Sequence, residues 1–351
     1  MNHPNPTHGP QLDALADALA GYLRAQGLAG REPLQLSVLA GGQSNPTFRV
    51  QAGAGRDYVL RKKPAGALLA SAHAIDREYR VMKALAGSGV PVPRMLAYCE
   101  DDSLLGTPFY VMEFLQGRVF MDQALPGMGG AEREAIYREM NRVIAALHAV
   151  DYGAAGLGDY GKHGNYVGRQ IARWTRQCRE SSLPVNEAMH KLMDWLPEHL
   201  PAGDETTLVH GDYRLDNLIF HPSEARVTGV LDWELSTLGD PLADLAYQCM
   251  GWRIPHDLWR GIGGLDLARL GIPQESDYVA WYAQATGRNA TQHWEFYIAY
   301  NLFRMAAILH GIAQRAADGN AAAADAVETG RKAGPLAELG WQAAQRYRPV
   351  G

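Results

Sequence analysis

Residues 208–220 read Leu208-Val209-His210-Gly211-Asp212-Tyr213-Arg214-Leu215-Asp216-Asn217-Leu218-Ile219-Phe220. An apolar run leads in, a polar loop follows, and a second apolar run leaves. That is the pattern of two buried strands joined by a polar turn. Asn217 follows Asp212 by five positions, so one loop can aim both side chains at the same point. Fifteen positions beyond Asn217, Val230-Leu231-Asp232-Trp233-Glu234 brings a second carboxylate to the end of an apolar run. An aspartate, an asparagine and another aspartate at strand ends suit a hard cation with oxygen ligands, such as Mg²⁺. They leave one carboxylate to orient a hydroxyl nucleophile. That division of labour fits phosphoryl transfer, where the protein chiefly positions groups and neutralises charge. The plainer reading is an acidic turn whose Asp and Asn only cap local backbone; the paired spacing and the flanking apolar runs favour chemistry.

The rest of the chain sets the frame. Its 351 residues are 47% hydrophobic and 20% charged, a profile that excludes disordered, collagen-like and coiled-coil readings. At this length a single core tends to split in two. Lys and Arg total 33 against 38 Asp and Glu, and the net charge of -5 argues against a nucleic-acid partner, which needs a basic surface. No uncharged apolar run reaches roughly 18 residues, so neither a membrane-spanning helix nor a membrane partner is expected. Residues 1–10 are polar and lack the apolar core of a signal peptide. Cys99, Cys178 and Cys249 are scattered and show no C-x-x-C pairing, the pattern of reduced thiols in a cytoplasmic protein.

Periodicity divides the chain unevenly. Leu12, Leu15, Leu19, Leu23 and Leu28 fall at helical spacing and predict a helix over 11–27. Strand-like runs follow at 34–39, 47–51, 58–61, 95–98 and 109–114, with a charged helical stretch at 71–85 between the third and fourth. After Gly117 helical patterns dominate, over 131–149, 164–180, 186–196, 241–251, 277–286 and 290–316. The strand-rich stretch 207–233 interrupts them. The expected fold is α+β. Residues 1–116 would form a small lobe, an antiparallel five-stranded sheet with an N-terminal and one inserted helix. Residues 117–351 would form a larger helical lobe carrying the catalytic and metal-binding loops.

His210-Gly211-Asp212-x4-Asn217 followed by Asp232 resembles the aminoglycoside phosphotransferase family, which has a bilobal protein-kinase-like fold. The match is closest to the phosphotransferase domain found fused to acyl-CoA dehydrogenases, and it runs from about residue 35 to residue 310. The resemblance implies an ATP- and Mg²⁺-dependent kinase in which Asp212 orients the acceptor hydroxyl and Asn217 and Asp232 hold the metal. Protein kinases carry His-Arg-Asp and Asp-Phe-Gly at these places; Gly211 and Trp233-Glu234 point instead to a small-molecule kinase.

Other family positions follow in order. Gly41, Gly42 and Ser44 would belong to a hairpin covering the phosphates, although alone the segment is only a Gly-rich turn. Arg61 stands where the family carries its phosphate-binding lysine. Period-2 alternation puts Lys63 on the same face as a second candidate, and the bland reading of both is a solvated strand end. Glu78 would anchor that basic residue. Glu113 and Leu115 would present backbone groups to the adenine, within a stretch that reads equally well as a buried strand. Arg214 and Glu234 are candidates for the acceptor side. His210, Asp240 and Asp244 would support the loop, Asp240 as an N-cap before Pro241.

The fused relatives imply a hydroxyacid or hydroxyacyl-CoA acceptor. The alternatives are an aminoglycoside or a choline-like alcohol; a polycation calls for a strongly acidic acceptor wall, and a net charge of -5 over 351 residues is too mild to decide this. A catalytically silent, nucleotide-binding pseudokinase that regulates a partner is the competing class. Arg61 in place of lysine favours it; the retained Asp212, Asn217 and Asp232 oppose it. Two features read as decoys. Gly156-Leu157-Gly158-Asp159-Tyr160-Gly161 satisfies G-x-G-x-x-G but follows a helical pattern, so it reads as a loop. His148, on an apolar helical pattern, reads as a satisfied core residue.

Overall fold

The computed structural model describes residues 10–39, 45–64, 75–203, 205–319 and 325–348. Its first elements are α1 (Pro10–Ala25), β1 (Gln35–Val38), β2 (Thr47–Gln51), β3 (Asp57–Lys62), α2 (Ile75–Ala84), β4 (Met95–Cys99), α3 (Asp102–Leu105) and β5 (Phe109–Glu113). Next come α4 (Gly130–His148), α5 (Tyr166–Glu180), α6 (Glu187–Glu198), β6 (Thr207–Val209), β7 (Leu218–Phe220), β8 (Val227–Val230) and β9 (Thr237–Gly239). The chain closes with α7 (Pro241–Cys249), α8 (Leu267–Leu270), α9 (Glu275–Thr286), α10 (Trp294–Ala317), α11 (Ala326–Arg331) and α12 (Ala333–Arg346).

Two compact units result. The first comprises Met1–Arg118 with Ile219–Pro222 and Thr228–Glu234; the second holds Val119–Leu218, Ser223–Val227 and Leu235–Gly351. Sequence patterning assigns everything after residue 116 to one part, yet most of the β7–β8 pair groups with the first unit. Backbone hydrogen bonds are the reason. Arg118 and Phe220 exchange N–H and C=O at 2.8 and 2.9 Å, and the Val230 N–H donates to the Pro91 carbonyl at 2.9 Å. Gly117 allows this approach, because a Cβ there would lie 2.2 Å from the Phe220 carbonyl oxygen.

In the first unit the sheet runs β1-β2-β3-β5-β4, every neighbour antiparallel. Strand alternation sorts its faces. Val50, Leu60 and Val111 point to one side, where Leu19 and Leu23 of α1 close over them, all fully buried. Burying each such side chain contributes about 1.5–3 kcal/mol. Thr47, Arg61 and Tyr110 are cross-strand neighbours on the opposite face, and α2 packs against β4 and β5. Lys62 therefore faces away from Arg61, and its Nζ donates to the Leu105 carbonyl at 2.7 Å.

The second unit is built around α10, which packs against α5, α6, α7, α11 and α12. By length and composition this helix could cross a membrane, but 83% of its most apolar window is buried in the protein. It is a core helix, and its Asn301 Nδ2 donates to the Ala243 carbonyl of α7 at 2.9 Å. All three cysteines are free and buried. Asp240 starts α7, accepting the Leu242 and Ala243 N–H groups at 2.8 and 3.0 Å, with Pro241 in the first turn. Its second oxygen accepts the Tyr297 hydroxyl at 3.0 Å. Asp240→Ala is expected to lower stability by about 1–2 kcal/mol, seen as a lower urea midpoint at unchanged m-value.

Candidate active site

In the second unit, β6 delivers the chain into a loop whose backbone is held from below. Gly211 adopts φ +80°, and a Cβ there would sit 2.6 Å from the Leu235 carbonyl oxygen, so only glycine fits between His210 and Asp212. The Asp244 carboxylate accepts the His210 N–H at 2.9 Å and the Gly211 N–H at 2.8 Å. It also takes the Nε2 proton of His148 at 3.1 Å, while the Tyr282 hydroxyl meets His148 Nδ1 at 2.7 Å. Burial alone would raise the Asp244 pKa; the bonds from His148 and His210 overcome that and hold it below the ordinary value. Arg304, buried on α10, donates to the Gly211 carbonyl at 2.6 Å. His210 is fully buried, and its Nδ1 accepts the Asp212 N–H at 3.2 Å.

Asp212 is engaged at both oxygens. Oδ2 accepts the Asn217 side-chain amide at 3.0 Å and is ion-paired with Arg214 Nε at 3.2 Å. Oδ1 accepts the Tyr247 hydroxyl in a short hydrogen bond. The Asn217 Nδ2 also donates to the Asp212 main-chain carbonyl at 2.9 Å, so the amide nitrogen is committed to Asp212 and the amide oxygen is the end able to meet a cation. Arg214 extends to Asp216 at 3.4 Å, and Arg260 meets the same carboxylate at 2.5 Å.

The first unit carries a second cluster. Arg61 Nε lies 3.1 Å from Glu78 Oε2, and its Nη2 reaches Asp232 Oδ1 at 3.4 Å. Two further donors fix Glu78: the Tyr110 hydroxyl to Oε2 and the Asn45 side chain to Oε1, each at 3.0 Å. Asp232 sits at φ +64°, in the left-handed region that Asp tolerates better than most residues. That turn follows directly from the strand end pinned at Val230, whose carbonyl accepts the Trp233 indole N–H at 2.9 Å. Burial would lower the Arg61 pKa, but Glu78, Tyr110, Asp232 and Glu234 together raise it. Glu234 thus acts electrostatically on Arg61. Burial pushes the Glu78 carboxyl up to about 7 against the opposing pull of Arg61.

These contacts belong to Arg61 and not to Lys63, for which no side-chain partner is found among the described residues. Gly41, Gly42 and Ser44 lie outside the described residues. Glu113 and Leu115 line a cavity of about 690 Å³ together with Arg49, Asp57, Phe114 and Gly117. Arg49 pairs with Asp57 and stacks 4.5 Å over the Phe114 ring. The G-x-G-x-x-G stretch is a run of turns, with Gly161 placed where a Cβ would meet the Leu238 backbone nitrogen at 2.6 Å.

Five residues of these clusters escape a reading of motifs: Asn45, Tyr110, Tyr247, Arg304 and, as a brace for Asp244, His148. A signal existed for one. Tyr247 stands three positions after Asp244 on the same helix, so it falls on the same face.

A model of the phosphotransferase enzyme family matches residues 35–294. Acyl-CoA dehydrogenase family member 10 of Mus musculus is 48% identical over 335 residues, covering 94% of this chain and 31% of that protein. The chain spans less than half the length of the acyl-CoA dehydrogenase relatives it matches. A crystal structure from Ralstonia eutropha, provisionally named an aminoglycoside phosphotransferase, is 54% identical with a TM-score of 0.87, covering 95% of this chain and 98% of that one. Aminoglycoside phosphotransferase APH(4)-Ia, solved with AMP-PNP and hygromycin B, shares the fold at a TM-score of 0.60 and 18% identity, covering 92% of this chain and 99% of that one. The fold is kinase-like, a five-stranded antiparallel sheet followed by a largely helical part.

A carboxyl whose folded-state pKa exceeds its unfolded value binds an extra proton in the folded state, and that stability is lost as pH rises through the folded pKa. Glu78 should therefore make the protein's thermal midpoint fall between pH 5 and pH 8. Glu78→Gln is expected to flatten that decline, measured by differential scanning fluorimetry across the pH range.

Proposed function

Since the chain belongs to the phosphotransferase enzyme family, we propose that it transfers the γ-phosphoryl group of ATP to the hydroxyl of a small anionic acceptor, a hydroxyacid or hydroxyacyl-CoA. The observation that carries this reading is the Asp212 carboxylate, held by Tyr247 and Asn217 and ion-paired with Arg214. A fixed carboxylate accepts the acceptor hydroxyl and takes its proton late, because the transition state is loose. Arg61, oriented by Glu78, clamps the phosphates. The backbone at Glu113 and Leu115 meets the base.

Asn217 and Asp232 are the residues that would hold Mg²⁺. Their donor set fits, an amide oxygen and a carboxylate. No group of three His, Cys, Asp or Glu side chains forms a metal site among the described residues. Mg²⁺ commonly makes do with one or two protein oxygens beside phosphates and waters. When bound it neutralises charge on the transferring phosphate.

Arg214 and Arg260 converge on Asp216, next to Asn217, so two guanidiniums offset the carboxylates of Asp212 and Asp216 and leave no excess of negative charge there for a polycationic aminoglycoside. Apolar surface lies close by: Leu235, half-exposed, adjoins Gly211, and exposed Met121 precedes Gln123, whose amide donates to the Arg260 carbonyl at 2.6 Å. That apolar surface suits an acyl chain. The acyl-CoA dehydrogenase relatives support the same class.

ADP release from Mg·ATP should rise with 3-hydroxybutyrate or 3-hydroxybutyryl-CoA and stay at background with hygromycin B or choline. Asp212→Asn and Asp232→Asn are each expected to cut turnover about 10²–10⁴-fold. Full turnover in Asp232→Asn would remove the metal-ligand assignment. Nucleotide binding without ADP release for any acceptor would instead identify a regulatory pseudokinase.

A further inference from the structure

A carboxylate on a short side chain rotates through a broad, roughly two-fold torsion, so a base that must meet a hydroxyl in one orientation needs outside restraint. Asp212 has about four lone-pair positions. The Asn217 amide occupies one of Oδ2, with the Arg214 guanidinium ion-paired beside it, and the Tyr247 hydroxyl occupies one of Oδ1. Asn217 and Arg214 belong to the loop itself and move with it. Tyr247 does not. It projects from α7, the helix whose Asp244 fixes the loop backbone, and it is buried.

Arg304 adds a second layer. Its guanidinium lies 5.0 Å from the Tyr247 ring centroid and donates to the Gly211 carbonyl at 2.6 Å. A cation over the ring face attracts π density and makes the phenol a stronger donor toward Asp212. The same arginine thereby ties the backbone before Asp212 to the ring that holds its side chain.

We propose that Tyr247 is the positioning residue for Asp212, set in place by Arg304, and that it leaves one lone pair of Oδ1 as the point where the acceptor hydroxyl binds. This rests on Asp212 being the group that orients the acceptor. Tyr247 touches neither acceptor nor nucleotide. Its loss changes how often the carboxylate is aimed correctly, and so affects kcat and leaves nucleotide affinity alone.

The test compares wild type, Tyr247→Phe, Asp212→Asn and the double variant in the full chain. ADP release from Mg·ATP is followed with 3-hydroxybutyryl-CoA, and binding of a fluorescent N-methylanthraniloyl-ADP is followed in parallel. Tyr247→Phe keeps the ring against Arg304, and is expected to lower kcat about 10- to 100-fold with the KM for ATP within about twofold. In the Asp212→Asn background the same change should cost nothing more, because the carboxylate it aims is gone. Tyr247→4-aminophenylalanine retains an N–H donor at the same place and should recover most of the turnover. Should Tyr247→Phe not fold, seen as lost nucleotide binding, the comparison passes to Tyr247→4-aminophenylalanine against Tyr247→O-methyltyrosine, with the donor-bearing variant expected to be the faster.

Tyr247→Phe turnover within twofold of wild type, or an equal loss in both backgrounds, would overturn the proposal while leaving the phosphotransferase reading intact. Asp212→Asn at wild-type turnover, or a wild type that phosphorylates no acceptor, would overturn that reading and this proposal with it.

Discussion

The Asp244 carboxylate, buried under the 210–217 loop, accepts two consecutive backbone N–H groups and a histidine proton. Unpaired amides at such depth would each cost on the order of 1–3 kcal/mol, so the loop cannot leave this anchor cheaply. Everything chemical in the second unit follows from it. With His210 and Gly211 fixed, Asp212 emerges in one direction, and a one-turn step along α7 brings Tyr247 to its carboxylate. Gly211 is the geometric condition, since its positive φ and the nearby Leu235 carbonyl leave no room for a side chain. The Gly in place of the protein-kinase Arg therefore reflects packing as much as ancestry.

The first unit solves a different problem, which is how to keep charged groups in a buried place. Glu78 is almost completely buried, yet it faces Arg61, Tyr110 and Asn45, and Asp232 neutralises the far side of Arg61. A buried ion pair adds little net stability by itself, but removing one member leaves an uncompensated charge. The cluster is thus held by mutual need, and it fixes Arg61 at the position where the family carries lysine. Arginine also presents several donors at once, which lets one side chain bridge Glu78 and Asp232.

Much of this was legible in the residues. The five strands, the long helices and the Asp240 cap follow from periodicity and from local rules that act within a few positions. The 210–217 loop was legible because its chemistry is concentrated in one short segment. The grouping of Asp232 with the first unit was not, because it depends on backbone hydrogen bonds from Arg118 and Pro91 to residues more than one hundred positions away. Nor was Asn45, which lies next to a Gly-rich turn and becomes informative only when α2 brings Glu78 to it.

The sequence by itself determined which residue types were present at which spacing, and with them the strands, the helices, the acidic loop and the family. Those properties are local, set by side-chain volume, backbone preference and short-range order. Tertiary structure alone decided that Arg61 also reaches Asp232, that His148 braces Asp244, and that Tyr247 and Arg304 converge on Asp212 and its neighbour. Such contacts join residues far apart in the chain, and no spacing rule encodes them. They exist because buried polar groups must find partners wherever the packed core brings them.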